Sequence, residues 1–243
     1  MPSRDDRFWA EFLGIDPSEW TSPGVSVRPH AALAGYRGVW CFRRAARVVV
    51  SAPTDWVAHL STKLVGCEPD ALLDEAFLVE LFGDDLERMI GPAFQGRLEP
   101  DRFRPAVSAD VRFIGRDDAA AVDRFRAECG ADAWESGSLD KVEQPMAAHF
   151  DGSRITAMAG YRPRNHDAGD PCVLTHPEFR RRGHGTRVVS AVVGAALGQA
   201  KLLLYQTLEA NRGAVEIALN LGYEPYARHM AVRLKRDSPM PAR

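Results

Sequence analysis

Apolar residues in the second half of the chain alternate between strand and helix spacing. Short apolar runs predict strands at "VRFIG", "DPCVLT" and "KLLLYQTL", and an alternating pattern predicts a last strand at "HMAVRL". Between them, "AAAVDRFRAECG" and "TRVVSAVVGAALGQA" have the spacing of helices, and the second has no charge between Arg187 and Lys201. "NRGAVEIALNLG" predicts a further helix, with Asn211 as N-cap and Gly222 just past its end.

Turn signals divide this half further. "MAAHFDGSRITAMAGYR" predicts a β-hairpin, in which Asp151 and Gly152 supply the two positive-φ residues of a type I′ turn. The stretch "RLEPDRFRPAVS" (97–108) is polar and contains Pro100 and Pro105, so it predicts a linker. The last residues, "KRDSPMPAR", predict a loose tail.

The first half also has an α/β pattern. "GVWCFRRAARVVVSAP" predicts two strands around a turn at Arg43 and Arg44, and "RMIGPAFQGRL" another strand. "TDWVAHLSTKLVG" and "DALLDEAFLVELFG" predict amphipathic helices. The second has apolar residues at helical spacing, namely Leu72, Leu73, Phe77, Leu78 and Leu81. We therefore predict two domains, an N-terminal α/β half at 1–105 and a second domain at 106–243.

Composition narrows the class of protein. Of the 243 residues, 45% are hydrophobic and 26% are charged. The 31 basic and 33 acidic residues give a net charge of −2, and this lack of positive charge argues against a dedicated nucleic-acid-binding protein. Four scattered cysteines without C-x-x-C spacing support neither zinc nor disulfides. There is no apolar signal region and no run of ~20 apolar residues. We expect a cytoplasmic protein without membrane or nucleic-acid partners, and allow for a homodimer.

The segment "THPEFRRRGHGTR" (175–187) lies between an apolar strand and the apolar helix. Free N–H groups and the dipole of the first helical turn favour an anion there. Glycines allow the backbone to approach a ligand, and arginines add forked donors: Gly183, Gly185, Arg180, Arg181, Arg182 and Arg187. The pattern predicts a phosphate cradle that is neither a Walker A loop nor a dinucleotide fingerprint. From these residues alone, a solvated turn and a nucleic-acid contact remain alternatives.

Residues 107–236 resemble the GCN5-related N-acetyltransferase (GNAT) superfamily. Its central motif, [QR]-x-x-G-x-[GA], is matched at 180–185, preceded by "CVLTHPEF". A later motif is matched by Asn211, Ala214 and Leu221-Gly222-Tyr223. The resemblance implies an α/β fold with a mixed, splayed β-sheet flanked by helices, preceded by a smaller α/β half. "VVVSAPTDWVAHLSTKL" has a strand and a helix in the same order but no glycine loop, so this half is expected to be degenerate and, because of Pro53, not to bind CoA.

The resemblance further implies an N-acetyltransferase that moves an acetyl group from acetyl-CoA, as co-substrate, to a primary amine of a small-molecule or peptide acceptor, without a metal. The loop at Arg180, Arg181, Arg182, Gly183, His184, Gly185 and Thr186 would take the pyrophosphate. The strand backbone at Val173, Leu174 and Thr175 would align the pantetheine arm. Asn211 would contact the cofactor near its sulfur, with a plain N-cap as the alternative. A different class of function is an acyl-CoA-binding regulatory protein that has lost catalysis.

Catalytic residues are harder to predict. An ammonium with a pKa near ~10.4 needs a base, whereas a thiol near ~8.5 leaves with less help. Relatives often place an acid tyrosine where this chain has Ala218, so Tyr223 is the candidate acid, with a core aromatic as the alternative. Asp170 is the candidate base, with a solvated loop residue as the alternative. Further base candidates are His149, His166, His176, Glu135 and Glu143.

Overall fold

Seven α-helices and ten β-strands lie within residues 1–199 and 201–235, the part of the chain that the computed structural model describes. The helices are α1 (Arg4–Leu13), α2 (Thr54–Lys63), α3 (Glu75–Phe82), α4 (Ala119–Cys129), α5 (Ala131–Gly137), α6 (His184–Gly198) and α7 (Arg212–Asn220). The strands are β1 (Gly24–Pro29), β2 (Gly38–Arg44), β3 (Arg47–Ala52), β4 (Leu86–Arg97), β5 (Val111–Phe113), β6 (Glu143–Asp151), β7 (Arg154–Pro163), β8 (Ala168–Thr175), β9 (Leu202–Leu208) and β10 (Glu224–Leu234). The predicted α/β class is confirmed.

The chain divides into two units. Unit 1 comprises 1–95, 207–211 and 225–243, and unit 2 comprises 96–206 and 212–224. These units differ from the predicted domains because most of β10 belongs to unit 1. The boundary at 105/106 stays a prediction, and residues 236–243 of the predicted tail lie outside the described residues.

Unit 1 is built on strands in the spatial order β1, β3, β2, β10 and β4. β1 runs parallel to β3, while β2 is antiparallel to both β3 and β10. The apolar residues on one face pack with α2 and α3, and the buried members include Val39, Val48, Val50, Trp56, Leu60, Leu78 and Phe82. On β2, Trp40 and Phe42 contact Trp9 of α1. Burial of both faces explains the nearly continuous apolar runs in β2 and β3.

The connection from β3 to α2 is a single residue, Pro53, which is the N-cap of α2 and makes no side-chain capping bond. Proline has a fixed φ and no N–H group. This connection therefore offers a ligand fewer backbone donors than a glycine-containing loop would. The degenerate character of the first half stays a prediction.

Unit 2 is built on strands in the order β9, β8, β7, β6 and β5. α6 contacts β6, β7 and β8 and buries Val188, Val189, Val192 and Val193. A second cluster joins α4 and α5 to the strands, with Phe125, Trp134, Ile155, Met158, Cys172 and Leu174 in its core. Since β8 is antiparallel to β7 and parallel to β9, the sheet is mixed and flanked by helices, as predicted.

Two predicted turns are corrected by the structure. Asp151, the last residue of β6, pairs with Arg154, the first residue of β7, so the connecting residues are Gly152 and Ser153. Gly152 has φ 59, whereas Asp151 does not have a positive φ. A glycine at the first central position is the pattern of a type II′ turn, not of the predicted type I′ turn.

The turn between β2 and β3 consists of residues 45 and 46, with φ 51 at Ala45. The predicted turn at Arg43 and Arg44 is therefore wrong, because both arginines continue β2. Ion pairs explain how charged side chains remain in the strand: Arg43 lies 2.6 Å from Asp70 and Arg44 lies 2.8 Å from Asp6.

The helix predicted over "DALLDEAFLVELFG" is interrupted. A 3-10 turn covers Pro69–Leu73, and α3 begins at Glu75. The side chain of Asp74 accepts a hydrogen bond of 2.9 Å from the N–H of Phe77, so Asp74 is an N-cap rather than a helical residue. Three elements were not predicted: α1, which begins with a capping box at Ser3, β1 and α5.

Candidate active site

The strands β8 and β9 separate soon after they meet. Their parallel register consists of Ala168↔Leu202 and Gly169↔Leu203, while β8 pairs with β7 from Gly169 through Thr175. Beyond Gly169, the edge of β8 that faces β9 has no registered strand partner among the described residues. Backbone N–H and C=O groups on such an edge can bind an extended ligand. The two strands therefore splay apart as predicted, and residues 173–175 lie on the part of β8 that β9 has left.

The basic loop joins β8 to α6. A 3-10 turn at Pro177–Phe179 follows β8, and α6 begins at His184. Gly183 is the N-cap of α6, has φ 79 and makes no side-chain capping bond. Because no side chain caps this 15-residue helix, its first N–H groups can bind an anion. The three preceding arginines, Arg180, Arg181 and Arg182, are exposed.

The two motif glycines have different physical roles. Gly183 adopts a positive φ, and a Cβ there would meet nothing within 4 Å. Gly185 is buried in the first turn of α6, where the helix approaches β8 and α7. Gly183 thus allows the turn of the loop, whereas Gly185 allows the packing of the helix. Thr186 is half-buried in the same turn.

The side chain of His184 packs inward. Its ring stacks on that of His149, with centroids 3.8 Å apart and planes at 11°. The buried hydroxyl of Thr156 lies 2.8 Å from Nδ1 of His184 and 2.9 Å from Nδ1 of His149. Burial is the largest cause that lowers the pKa of both histidines. His184 can therefore bind a ligand through its backbone N–H. Its ring and that of His149, both neutral at pH 7, pack against each other beneath the loop.

Arg154 fixes the residues that lead into the loop. Its guanidinium lies 3.1 Å from Glu128 and 3.0 Å from Glu178, and 5.2 Å from the ring centroid of Phe179. Arg182 also lies 5.2 Å from the centroid of that ring. Arg154 Nη2 lies 3.2 Å from Nε2 of His176, which is 5% exposed. These contacts order the entrance to the loop and occupy His176, one of the candidate bases.

Asp170 lies within β8 and is buried, so the alternative of a solvated loop residue is wrong. Its Oδ2 accepts from Arg162 Nη2 at 2.6 Å, and its Oδ1 accepts from Arg164 Nε at 2.5 Å. A base needs a lone pair directed at the amine, and here both oxygens already bind guanidinium groups. The catalytic role of Asp170 stays a prediction, and its contacts favour a structural role.

Tyr223 is 2% exposed and follows Gly222, which has φ 96. Its ring contacts that of Tyr205, with centroids 5.1 Å apart. Its hydroxyl has no hydrogen-bond partner among the described residues. Burial raises the pKa of Tyr223 well above 10, so the phenol keeps its proton at neutral pH. Ala218 is fully buried in α7. The role of Tyr223 as acid stays a prediction.

The remaining candidates are dispersed. Asn211 directly precedes α7, and its N–H donates to the carbonyl oxygen of Leu208 at 2.9 Å. His166 is exposed and lies 2.9 Å from Asp167. Glu135 and Glu143 are exposed. No group of three or more potential metal ligands occurs within residues 1–199 and 201–235.

The basic loop, α6 and α7 lie in a segment that matches a known family. The segment 117–223 matches the family described as the Acetyltransferase (GNAT) family. Residues 117–223 form a GNAT acetyltransferase domain. Enzymes of this family are acyl-CoA-dependent N-acetyltransferases that use acetyl-CoA, and this domain belongs to that class. It contains β8, the basic loop, α6 and α7.

Solved GNAT structures are similar to this chain. A GCN5-related N-acetyltransferase from Kribbella flavida is 16% identical, with a TM-score of 0.55 over 98% of each chain. A GNAT family protein from Novosphingobium aromaticivorans is 20% identical over 62% of this chain and 67% of its own, with a TM-score of 0.48. A GNAT family acetyltransferase from Colwellia psychrerythraea is 15% identical over 65% of this chain and 61% of its own, with a TM-score of 0.49. Because the sequence identity to the Kribbella flavida protein is 16%, that match shows only that the two folds are similar. No curated protein sequence matches the chain.

Sequence reasoning missed the partners of Asp170 in this GNAT domain. Arg162 and Arg164 were not considered, although two arginines two positions apart at the end of a strand can lie on one face. Thr156 was also missed, because nothing in the pattern of a strand indicates that its hydroxyl lies between two histidines.

Proposed function

We propose that this protein transfers the acetyl group of acetyl-CoA to a primary amine of a small-molecule or peptide acceptor. The observation that carries the proposal is the opening beyond Gly169, which leads along β8 to the uncapped start of α6. A free strand edge that leads to an anion site fits a ligand that has an extended arm with amides and, at the end of that arm, a pyrophosphate.

The residues present fit acetyl-CoA in charge and in shape. The pyrophosphate is negative, and the loop offers exposed Arg180, Arg181 and Arg182 next to helix N–H groups. The pantetheine arm carries amides, which complement the backbone of 173–175. When bound, acetyl-CoA supplies an activated acyl group whose thiol leaves readily.

The protein contributes positioning and charge stabilisation. A backbone N–H of β8 near Leu174 is the proposed donor to the carbonyl oxygen, an interaction that strengthens as negative charge develops. Tyr223 is the proposed acid and Asp170 the proposed base. We further propose a degenerate, non-binding N-terminal half, a cytoplasmic location, and a homodimer as a state to be tested.

The test combines binding with turnover. Acetyl-CoA should raise the melting temperature, because a ligand at about 100 times its Kd stabilises the folded state by about 2.7 kcal/mol. Release of free CoA should then depend on added amine. Stabilisation without amine-dependent release would indicate the regulatory alternative. Absence of stabilisation at millimolar acetyl-CoA, in a folded sample, would contradict the proposed cofactor site.

A further inference from the structure

A buried carboxylate in unit 2 is shared by two arginines. Asp170 accepts one hydrogen bond from Arg162 and one from Arg164. The Asp170 side chain is 2% exposed, whereas those of the two arginines are 23% and 25% exposed. One carboxylate cannot neutralise two guanidinium groups, which are always charged in proteins. The cluster therefore has one positive charge in excess, and that charge reaches the surface.

This charge lies where β8 and β9 separate. Asp170 is the first residue of β8 after the last registered pair, Gly169↔Leu203. Nη2 of Arg164 donates to Oε1 of Gln206, which lies on β9 beyond Leu203. Arg164 thus connects the two strands past the point where their backbone pairing ends. In the proposed function, the reacting end of the co-substrate occupies this opening.

The cluster lies on the face of the sheet that α4 and α5 cover. Asp170 and Arg162 form a cross-strand pair, and the alternation along β8 puts Cys172 on the same face. Burial raises the pKa of Cys172 to about 11; the charge of Asp170 adds to that rise, and the positive charges of Arg162, Arg164 and Lys141 oppose it. Asp170 and the two arginines of the cluster therefore lie close to Cys172.

One donor of the cluster lacks an acceptor. The Nε atom of Arg162 is buried and has no hydrogen-bond partner among the described residues. Because this atom is enclosed, a ligand would contact the exposed part of the two guanidinium groups, whose side chains are 23% and 25% exposed. The planar fork of a guanidinium matches the two oxygens of a carboxylate. A single excess positive charge complements a monoanion better than a phosphate dianion.

We infer that the acceptor is a small amino acid-like molecule, which carries a carboxylate in addition to the amine. Arg162 and Arg164 bind the carboxylate and so determine specificity, while Asp170 holds the two guanidinium groups in place. The inference rests on the proposed acetyl transfer to an amine. It adds the chemical class of the acceptor and the residues that recognise it.

The test compares paired amines with the full chain and acetyl-CoA. Glycine, L-alanine and L-phenylalanine are each compared with their carboxamides, and kcat/KM is measured from CoA release per unprotonated amine. We expect the carboxylate member of at least one pair to be favoured by about 10- to 100-fold, the size expected for hydrogen bonds to charged groups. Phosphoethanolamine serves as the amine with a dianion and should be a poorer acceptor.

Variants assign the effect to the cluster. Arg162→Gln should raise the KM for the carboxylate member by about 10-fold or more and leave the KM of the carboxamide and of acetyl-CoA unchanged. Arg162→Lys keeps the charge without the fork and should restore part of the preference. If Arg162→Gln does not fold, Arg164→Gln removes the excess positive charge in its place, keeps the pair of Arg162 and Asp170, and should also reduce the preference.

The outcomes separate the two proposals. Equal use of carboxylate and carboxamide amines overturns the inference and leaves acetyl transfer standing. Preference for phosphoethanolamine overturns the carboxylate class. A preference that persists in Arg162→Gln and in Arg164→Gln overturns the assignment to this cluster. If acetyl-CoA binds but no amine of either kind is acetylated, the inference is overturned, and the turnover test with peptide amines decides the proposed function.

Discussion

A Cβ atom on Gly185 would lie 2.9 Å from Oγ1 of Thr175 and 3.1 Å from Cδ1 of Ile217. The first turn of α6 therefore approaches β8 and α7 so closely that a Cβ at position 185 requires the side chains of Thr175 and Ile217 to shift. Gly185→Ala should lower the free energy of unfolding by about 1–3 kcal/mol, the usual cost of overpacking. Denaturant unfolding measures it. The matched control is Gly198→Ala in the same helix, where a Cβ meets nothing within 4 Å, and it should be neutral or stabilising. Equal effects of both changes would contradict the close packing.

Gly183 allows a separate test of the anion site. Gly183→Glu and Gly183→Gln carry the same strain of about 1–2 kcal/mol, because both place a side chain at φ 79. The negative charge of Glu repels the pyrophosphate. The affinity for acetyl-CoA should therefore be about 10-fold lower in Gly183→Glu than in Gly183→Gln. Calorimetry measures both affinities. Similar affinities in the two variants would place the pyrophosphate elsewhere.

Hydrogen exchange should distinguish the two halves of the chain. Acetyl-CoA is expected to protect 173–190 and the start of 211–221, because those backbone groups become hydrogen-bonded or enclosed. Residues 40–66, which contain the short connection through Pro53, should exchange at the same rate with and without it. Strong protection of 40–66 would indicate a second cofactor site and contradict the degenerate half.

Tyr223→Phe tests the proposed acid without changing the ring. We expect kcat to fall by roughly 10²–10⁴-fold with little change in acetyl-CoA affinity. Stability should stay equal or rise, since the change removes a buried hydroxyl that has no partner among the described residues. Stopped-flow or steady-state kinetics and thermal melts measure the two effects. An unchanged kcat would show that Tyr223 is only a core aromatic.

Asp170→Asn separates a base from a structural anion. Removing the charge leaves Arg162 and Arg164 without their carboxylate, so the free energy of unfolding should fall by about 3 kcal/mol. This value is at the lower end for a broken buried ion pair, because both arginines are partly exposed. If Asp170 is also the base, activity should recover as the pH rises, because the amine then loses its proton without help. A deficit that is constant from neutral to alkaline pH would assign Asp170 a structural role.

The local sequence predicted the elements of unit 2 well. Apolar runs and helical spacing located β8, α6, β9 and α7, because burial of one face imposes a period that the sequence must follow. Gly130 and Gly222 end helices as expected, since both adopt a positive φ that other residues avoid. The basic loop was also predicted, because its donors are local: a helix start, glycines and adjacent arginines.

Errors arose where a polar side chain has a partner that the pattern of apolar residues does not reveal. Arg43 and Arg44 remain in β2 because Asp70 and Asp6 supply charges that no local pattern reveals. The helix before Gly83 is interrupted because the side chain of Asp74 caps α3. In both places a polar side chain finds a partner that decides the backbone.

The sequence by itself determined the α/β class, the strand–loop–helix unit and the resemblance of its motifs to the GNAT superfamily, because each depends on neighbouring residues. Only the tertiary structure decided that Asp170 is buried between Arg162 and Arg164, that His184 packs inward on His149, and that β8 leaves β9 after Gly169. The physical reason is that pairing between strands and burial of charge depend on which residues meet in space. Residues 162, 170 and 206 share one cluster although nothing in their spacing indicates it.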